Sequence, residues 1–355
     1  MDLKDLILLS NKYGSNPDLI LAGGGNTSVK DANNLYIKCS GVSLGTIDAD
    51  GFVPVSREPL GRTLTTQYPE DDAGREAAFL KDVMAARAIP GETRRPSVEA
   101  MLHNLFEQRY VVHLHPALVN GLTCGKDGKS RMSGLFGDKA VWVPATRPGL
   151  MLGRLCHRMM SEYKARTGRS VQLAFLENHG VFVAGDTPQE ADAILVGVMD
   201  TLKAALTHHP DSEFTQTPPP GAPEKVKSGA GSTYLEFRSS PQILEYLRSR
   251  EAAVDLMAPF TPDQIVYCGP KHTYVKDVSQ IDASAGKIIF IENTGVLALG
   301  QTEKEAALAM LLFLDAFKIA VYARSFGGAQ PLSDELIQFI AYWEAEAYRQ
   351  KEAKK

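Results

Sequence analysis

Cysteine is scarce in this chain of 355 residues, and its few cysteines follow no ligand pattern. No two of the four form a Cys-x-x-Cys pair: they are Cys39, Cys124, Cys156 and Cys268. This spacing argues against a disulfide framework and against a zinc site built from thiolates. It favours reduced thiols and therefore a cytoplasmic protein.

The chain also lacks an excess of charge of either sign. Its formal net charge is −4 and its pI is about 6.1. A protein that binds nucleic acid or an acidic membrane surface usually carries a basic patch that shifts these values. We therefore expect no nucleic acid and no membrane among its partners, and we expect its ligand to be a small molecule.

Long uninterrupted apolar runs are missing as well. The segment Met1–Asp5 lacks the basic start and the apolar stretch of a secretory signal. The longest apolar stretch, at 306–323, is interrupted by Asp315 and Lys318. This interruption predicts a buried helix in place of a membrane span.

What the chain does have is enough apolar residues for a large core. They make up 44% of the sequence, and the length suggests two domains or one enlarged domain. Residues 207–232 contain three consecutive prolines and a Gly-Ala-Gly sequence, which is typical of a linker or an irregular excursion. We predict a first domain at 1–206, this linker at 207–232, and a C-terminal α/β extension at 233–355.

Two histidines lie at the end of an apolar, β-branched run that begins at Tyr110 and ends at Pro116. The run predicts a strand, in which side chains two residues apart project from the same face. His113 and His115 therefore point the same way, about 6.6 Å apart along the backbone. Two imidazoles on one face are what two ligands of one metal ion require.

A third ligand is expected from His179, which follows the apolar run 171–176 in a polar turn. A single histidine on an apolar strand is more often a core residue than a ligand. A same-face pair with a third histidine at a strand end favours a metal. The histidines without comparable context are assigned structural or solvent-exposed roles: His157, His208, His209 and His272.

A glycine cluster at 23–25 is followed by the polar sequence Asn-Thr-Ser at 26–28. We predict a hairpin in which a strand at 19–22 enters the cluster and a strand at 35–38 returns. The glycine amides and polar side chains could donate to an anion. The dinucleotide-binding fingerprint does not fit, because no helix opens after the glycines and no acidic residue follows suitably. Spacing alone supports a structural hairpin and a phosphate-binding turn equally.

A helix is predicted from Ser97, a good N-cap residue, to Phe106. Glu99 and His103 are four residues apart and share one face of it. The helix leads into the strand with the two histidines, so its first turn could face the metal; the alternative is a solvated surface pair. For His103 we favour a role in the core or behind the ligands over direct ligation, since helical spacing alone does not aim its ring.

An imperfect internal repeat links the two halves of the chain. About twelve of the thirty-one positions in 175–205 are identical in 290–320. The repeat predicts a second strand–turn–strand–helix unit. Thr294 stands where the first unit has His179, so we expect no second metal and a structural or interface-forming role for the second half.

Four motifs follow one another in the chain: Gly-Gly-Gly-Asn-Thr-Ser at 23–28, Pro-Ser-Val-Glu-x-x-x-His at 96–103, His-Leu-His-Pro at 113–116 and Glu-Asn-His-Gly at 177–180. In this order they resemble the class II aldolase/adducin family. Each motif is weak by itself, but the ordered set is specific. Further matches resemble the aldolase portion of rhamnulose-phosphate aldolase/alcohol dehydrogenase fusion proteins: they lie at 35–41, 143–149, 261–263 and 342–344.

The resemblance implies a three-layer α/β/α catalytic domain with a largely antiparallel central sheet. It also implies a homo-oligomer, with a tetramer favoured, and a separate dehydrogenase acting on the aldehyde product as a partner. Metal ligation is carried over to His113, His115 and His179, and the general acid/base role to Glu99. Contacts with the substrate or its phosphate are carried over to Gly25, Asn26, Ser40, Gly41 and Ser97.

The implied activity is that of a metal-dependent (class II) aldolase, a carbon–carbon lyase. It would cleave a sugar phosphate, or a related ketose or keto acid, by a retro-aldol reaction through a metal-stabilised enediolate. Zn²⁺ is expected, with Mn²⁺ or Co²⁺ as alternatives. A sugar-phosphate epimerase or a decarboxylase could use the same site. A non-catalytic, adducin-like interaction module is a further alternative, and the intact set of three histidines and one glutamate argues against it.

Overall fold

The computed structural model describes residues 1–343 and Tyr348. Glu344, the last residue of the short match at 342–344, lies outside these residues, as does most of the end of the predicted extension. Two β-sheets organise the described chain, one of seven strands and one of four. The seven strands all precede residue 186 and the four all follow residue 233, so each sheet draws on one half of the chain.

The larger sheet is largely antiparallel. Its strands are β1 (Asn26–Lys30), β2 (Asn34–Lys38), β3 (Phe52–Ser56), β4 (Tyr110–Leu114), β5 (Val141–Val143), β6 (Leu173–Leu176) and β7 (Gly180–Gly185). They lie in the order β3-β2-β1-β4-β7-β6-β5. The pairing of β5 with β6 is parallel and the others are antiparallel. The strand with the His-x-His sequence, β4, is therefore at the centre.

Helices cover both faces of this sheet. One face packs against α1 (Lys4–Gly14), α5 (Ala117–Thr123), α6 (Gly128–Phe136) and α8 (Pro188–Ala205). The other packs against α2 (Arg57–Arg62), α3 (Asp72–Ala85), α4 (Ala100–Leu105) and α7 (Leu150–Thr167). The predicted three-layer α/β/α fold with its largely antiparallel sheet is confirmed.

Alternation along β4 explains how one strand serves two cores. Val112 and Leu114 are buried in the core beneath α1 and α8, whereas Val111 is buried in the core beneath α7. Side chains two residues apart share a face, so His113 lies on the same side as Val111. The histidine pair therefore belongs to the face that carries α4 and α7.

The smaller sheet lies in the order β8-β11-β10-β9. Its strands are β8 (Tyr234–Arg238), β9 (Thr273–Val275), β10 (Ile288–Ile291) and β11 (Gly295–Gly300). The helices of this half are α9 (Ala222–Lys225), α10 (Pro241–Tyr246), α11 (Pro262–Cys268), α12 (Glu303–Ala323) and α13 (Asp334–Tyr342). A second sheet with helices is thus present in the half where the degenerate repeat was predicted.

The repeat extends further in the structure than in the sequence. β10, β11 and α12 follow one another as β6, β7 and α8 do. In addition, β8 pairs antiparallel with β11 as β4 does with β7, and β9 pairs in parallel with β10 as β5 does with β6. We call residues 110–205 the first copy and residues 234–323 the second copy.

The two long helices of the copies begin in the same way. Thr187 Oγ1 accepts a hydrogen bond from Glu190 N at 3.1 Å, and Thr302 Oγ1 accepts one from Glu305 N at 3.2 Å. Each glutamate reaches back to the backbone amide preceding the threonine. The arrangement resembles a capping box, with each glutamate bonded one residue before the N-cap.

The predicted strand at 19–22 is wrong, because the glycine cluster precedes the first strand. Leu21 O accepts a hydrogen bond from Gly24 N at 3.0 Å, which closes a turn. Ala22 and Gly25 have φ angles of 52° and 63°, in the left-handed region that an extended strand does not visit. The hairpin is formed by β1 and β2 instead.

The prediction that Ser97 caps the following helix is also wrong. The helix α4 begins at Ala100, and Glu99 occupies the N-cap position. Ser97 N donates to Lys38 O at 2.9 Å, while Ser97 Oγ accepts from Glu99 N at 3.2 Å. The backbone at Ser97 is thus bonded to the end of β2, and the helix starts only after a further turn.

The apolar stretch 306–323 lies within α12, which contacts α5, α11 and β11. By length and composition alone, Glu303–Phe326 could cross a membrane. In this fold 61% of its most apolar window is buried against the rest of the chain. Its polar interruptions and its contacts are those of a core helix.

The segment 207–232, predicted as a linker or an irregular excursion, packs against the second copy. It contains the short helix α9, in which Ala222 is buried, and Val226 follows it in the same core as β10 and β11. Thr215 forms an isolated β-bridge with Ser239. The segment is irregular, and the division of the chain into domains stays a prediction.

Candidate metal centre

Three histidines converge where β4 and β6 end. His113, His115 and His179 place their candidate ligand atoms within 4.8 Å of one another. The Nε2 atoms of His113 and His115 are 2.8 Å apart. The set predicted from the His-x-His strand and the Asn-His-Gly turn is therefore brought together by the fold.

His113 is held by the strand beside it. Its ring is fully buried and stacks on Phe182 of β7, with the ring centroids 4.1 Å apart. Nδ1 lies 3.0 Å from Val181 O, and because a carbonyl oxygen only accepts, Nδ1 donates the proton. Burial lowers the pKa of His113 to about 4, against the opposing effect of Glu99. The ring is therefore neutral, with the lone pair of Nε2 facing the cluster.

His115 lies just beyond the end of β4, and a residue from the C-terminal half of the chain orients its ring. Its Nδ1 donates to Asp263 Oδ2 at 2.6 Å. Asp263 is in the first turn of α11 and is 6% exposed. A carboxylate behind a metal-ligating imidazole fixes its tautomer and raises its basicity. The sequence offered one signal for Asp263, the short match at 261–263, but not its place in the site.

His179 is positioned by a tight turn between β6 and β7. Asn178 adopts a φ of 56°, and its side-chain amide donates to Phe260 O at 3.2 Å and to Gln330 O at 2.8 Å. A Cβ at Gly180 would overlap the Leu114 carbonyl oxygen. Only glycine therefore allows β7 to approach β4 closely enough to place the His179 ring beside the other two.

Glu99 adds a carboxylate oxygen to the cluster. Its Oε1 lies 3.2 Å from His113 Nε2 and 3.3 Å from His179 Nε2, and its Oε2 accepts from Asn26 Nδ2 at 2.6 Å. Burial alone would raise the pKa of the Glu99 carboxyl. The adjacent His113 and His179 outweigh burial and lower that pKa well below its usual range when these rings carry a proton on Nε2.

A buried relay runs from Glu99 into the core. Asn26 donates to Glu99, so its Oδ1 is the atom that accepts from His103 Nε2. His103 Nδ1 then accepts from Ser28 Oγ at 2.7 Å. Burial and the neighbouring His113 lower the pKa of His103 well below its usual range, so its ring is neutral. His103 lies behind Glu99 and does not join the ligand cluster, in agreement with the role we favoured.

The donor set fits a divalent cation. The Nε2 atoms of His113 and His115 are 2.8 Å apart. The Nδ1 atom of each ring is the hydrogen-bond donor, so the two Nε2 atoms face each other with lone pairs. No well-aligned hydrogen bond reaches Glu99 Oε1 within the described chain, although this atom is buried. Three imidazoles, a carboxylate and room for further ligands are typical of a zinc site that keeps an open position.

A narrow cleft opens beside the cluster. All five residues assigned to the substrate line it: Gly25, Asn26, Ser40, Gly41 and Ser97. The pairing of 38–41 with 95–97 forms one wall, through Ser97 N to Lys38 O and Ser40 N to Arg95 O. Gly25 forms another part of the wall, where a Cβ would lie 2.8 Å from His113 O.

Lys38 is a cleft residue that the sequence did not single out. Its side chain lines the cleft beside Ser40, its exposed fraction is 3%, and Nζ lies 3.5 Å from Gly23 O. A buried ammonium group beside an open cleft suits an anionic substrate. The sequence gives little indication of this position, because a solvent-exposed lysine in a strand would show the same alternation with apolar residues as Lys38 does in β2.

Residues 5–206 match the model of the class II aldolase and adducin N-terminal domain. The chain belongs to the class II aldolase/adducin family. This match covers more than half of the chain and includes all three histidines and Glu99.

Individual relatives of this class II aldolase/adducin chain are distant. It is 22% identical to the uncharacterized oxidoreductase YuxG of Bacillus subtilis (strain 168), over 98% of the chain and 58% of that longer protein. The N-terminal class II aldolase domain of a Thermoplasma acidophilum protein is 26% identical over 57% of the chain and 93% of that domain, with a TM-score of 0.48. The L-fuculose-1-phosphate aldolase of Thermus thermophilus is 19% identical over 57% of the chain and 92% of that enzyme, with a TM-score of 0.36.

The family recognition made from the four ordered motifs is confirmed. All the residues to which the resemblance assigned roles lie around one cleft. Their individual roles remain predictions. The sequence missed Lys38 in the cleft wall and the place of Asp263 behind His115.

Proposed function

We propose that this protein is a divalent-metal-dependent class II aldolase. It would cleave a sugar phosphate, or a related ketose or keto acid, by a retro-aldol reaction. The observation that carries the proposal is the convergence of three imidazole nitrogens with a carboxylate oxygen, 3.2 and 3.3 Å from two of them, at the floor of the cleft. Zn²⁺ is the metal proposed, with Mn²⁺ and Co²⁺ as alternatives.

His113, His115 and His179 would hold the metal through Nε2. A cation bound there would act as a Lewis acid towards the oxygen on which negative charge develops when the carbon–carbon bond breaks. The neutral imidazoles leave that cation its full charge. Their hydrogen bonds to Val181 O and to Asp263 hold the rings before substrate arrives.

Glu99 would move the proton. In the direction of cleavage a substrate hydroxyl group loses its proton as it becomes the aldehyde, and the electron pair of the broken bond passes to the three-carbon fragment. The Glu99 carboxylate would take up a proton and give one to the carbon of that fragment. In the reverse direction the carboxylate removes that proton. The Asn26 amide holds one oxygen of Glu99 at 2.6 Å while the other oxygen faces the three histidines.

The cleft wall would bind the anionic end of the substrate. Ser40 and Ser97 offer hydroxyl groups, and Gly41 lies at a φ of 86° that turns the backbone into the cleft. Lys38 would add a positive charge next to them. Such contacts orient the scissile bond over Glu99, which is how binding groups remote from the reacting atoms lower the barrier.

We further propose that the enzyme works in the cytoplasm as a homo-oligomer, with a tetramer favoured, and that a separate dehydrogenase acts on its aldehyde product. Four buried, unpaired cysteines support the cytoplasmic location. The residues 1–206 would form the catalytic domain. The C-terminal part would form an extension that packs on it.

Product identification tests the proposal. The purified, metal-loaded protein is incubated with a panel of ketose phosphates and keto acids, and the products are identified by mass spectrometry and NMR. The proposal expects two carbonyl fragments from at least one substrate, and no such fragments from a Glu99→Gln protein of equal metal content. Formation of an epimer or of carbon dioxide without carbon-chain cleavage would establish the epimerase or decarboxylase alternative instead. No turnover of any compound by metal-replete protein would favour a binding module.

A further inference from the structure

The motif Thr261-Pro262-Asp263 lies outside the domain matched by the family, yet one of its side chains reaches the candidate metal centre. Thr261 is the N-cap of α11 and Pro262 is the first residue of the helix. Asp263 is thereby fixed in the first turn, where it is buried. An acidic residue there also stabilises a helix through its dipole, so location alone leaves a purely structural role open.

The contacts of Asp263 decide between these roles. Its Oδ2 is 2.6 Å from His115 Nδ1, a short charge-assisted hydrogen bond. A Cβ at Gly24 would lie 2.9 Å from the same oxygen and 3.5 Å from His115 Nδ1. Glycine in the 23–25 turn therefore leaves the space in which the carboxylate meets the imidazole. Three segments far apart in sequence converge on this one bond.

His113 and His115 are not supported equally. His113 donates to a backbone carbonyl, a neutral acceptor at 3.0 Å, whereas His115 donates to a carboxylate at 2.6 Å. A charged acceptor roughly doubles the strength of a hydrogen bond. It also makes the opposite ring nitrogen a stronger ligand, which a carbonyl does to a smaller degree. Of these two histidines, His115 is the more exposed and receives the stronger support.

We infer that Asp263 is a positioning residue of the metal centre, through which the C-terminal half completes a site whose ligands all lie in the N-terminal half. This inference rests on the proposed metal site of His113, His115 and His179. Asp263 holds the His115 ring with Nε2 facing His113 Nε2 and raises the basicity of the nitrogen that would bind the cation. The C-terminal half then contributes a positioning residue to the site as well as forming a structural extension.

The test measures metal affinity in the full-length protein by competition with a chromophoric chelator. Asp263→Asn keeps the size of the side chain and removes its charge, and Asp263→Ala removes the acceptor. Loss of such a supporting group typically weakens metal binding about 10- to 100-fold, so the Kd for Zn²⁺ is expected to rise by that factor, more for Ala than for Asn. Asp263→Glu is expected to recover part of the loss.

A matched control and a spectroscopic readout separate positioning from folding. Glu292→Gln removes a half-buried carboxylate of the same half that bonds Tyr274 at 3.0 Å, away from the cluster. It is expected to leave the Kd unchanged. With Co²⁺ in place of Zn²⁺, the visible absorption bands are expected to shift in Asp263→Asn and not in Glu292→Gln. Unfolding temperatures measured with excess chelator are expected to be alike in the wild type and in Asp263→Asn.

A double variant makes the result decisive. In a His115→Ala background, Asp263→Asn is expected to change the Kd by less than about 2-fold, because the residue acts only through that ring. Wild-type affinity and an unshifted Co²⁺ spectrum in a folded Asp263→Asn protein would overturn the inference while leaving the metal site in place. A wild type that binds no stoichiometric metal would overturn the proposed function, and the inference with it.

Discussion

The two copies share a backbone and differ in chemistry. Asn178 and Asn293 occupy the same turn with φ angles of 56° and 49°. In each copy the last glycine of the hairpin allows the next helix to approach, since a Cβ at Gly185 would lie 2.6 Å from Ala191 N and one at Gly300 would overlap Ala306 N. These residues serve the geometry of the unit, and both copies keep them.

All three ligand positions are changed in the second copy. His113 pairs with Phe182 on β7, and Phe237 pairs with Leu297, the equivalent residue on β11. Phe237 therefore stands where the first copy has His113. Two residues further along, Ser239 stands where the first copy has His115. Thr294 replaces His179 in the turn. The second copy therefore has the scaffold of the site without a metal ligand at any of its three positions.

The surroundings differ in the same direction. In the first copy β1 pairs with the outer edge of β4 and places Asn26 opposite His113. In the second copy β8 is an edge strand of its sheet. The 18-residue helix α7 between β5 and β6 is matched only by a short turn, Val278–Gln280, between β9 and β10. A fold of this kind holds a site only when neighbouring segments bring the remaining groups to it.

Removing ligands from the first copy is expected to have the largest effect. A His113→Ala, His115→Ala double variant loses two of the three imidazoles, and one imidazole cannot retain the ion. Elemental analysis of purified protein is expected to fall from near one zinc per chain to less than about a tenth. The control is Ser239→Ala, the change at the equivalent position of the second copy, which is expected to keep full occupancy. Near-stoichiometric zinc in the double variant would place the metal elsewhere.

Glu99 has no counterpart in the second copy, and its removal is expected to affect turnover alone. Glu99→Gln keeps size and hydrogen-bonding capacity but removes the base, so turnover should fall by roughly 10²-fold or more. Zinc content and the urea midpoint are expected to stay near the wild-type values, because the imidazoles hold the ion. Normal zinc content together with near wild-type cleavage would show that another residue moves the proton.

The two turn asparagines are expected to differ in their contribution to stability. Glycine tolerates the positive φ at both sites, so only the side-chain bonds distinguish them. Asn178 donates to two carbonyl oxygens in a buried setting, and Asn178→Gly is expected to lower the free energy of unfolding by about 1–3 kcal/mol. Asn293 is exposed, and Asn293→Gly is expected to change it by less than about 1 kcal/mol. Urea denaturation measures both; equal losses would contradict the comparison.

The smallest effect is expected from Thr294→Val. Among the described residues, Thr294 Oγ1 donates to Glu292 O at 3.0 Å, within its own turn. Its loss should cost about 0.5–1.5 kcal/mol at most and leave zinc content and activity unchanged. An ion coordinated beside Asn293 and Thr294 in a crystal structure, or activity lost without loss of stability, would show that the second copy has a chemical role.

Local patterns in the sequence predicted much of the site. The side-chain period of a strand is enough to place His113 and His115 on one face, and the ordered motifs are enough to add His179 and Glu99. The N-cap hydrogen bond at Thr187 is likewise complete within four residues. These features depend on neighbours in sequence, which is why they could be predicted.

Long-range contacts could not be predicted in the same way. Asp263 is 148 residues from His115, and no periodicity relates them. The extent of the repeat was also hidden, because β8 and β9 match β4 and β5 in pairing and not in residue identity. At Ala22 and Gly25 the backbone turns within an apolar sequence that locally resembles a strand. Tertiary packing outweighs local propensity at such points.

The most direct test of the central claim is the zinc K-edge X-ray absorption spectrum of the metal-loaded protein. The account predicts one zinc per chain with about three imidazole nitrogens at roughly 2.0–2.1 Å, completed by oxygen. Its spectrum should be unchanged in Thr294→Val and lost with the metal in the His113→Ala, His115→Ala double variant. A sulfur neighbour at about 2.3 Å, or a single imidazole per zinc, would contradict the assignment of the metal to the first copy.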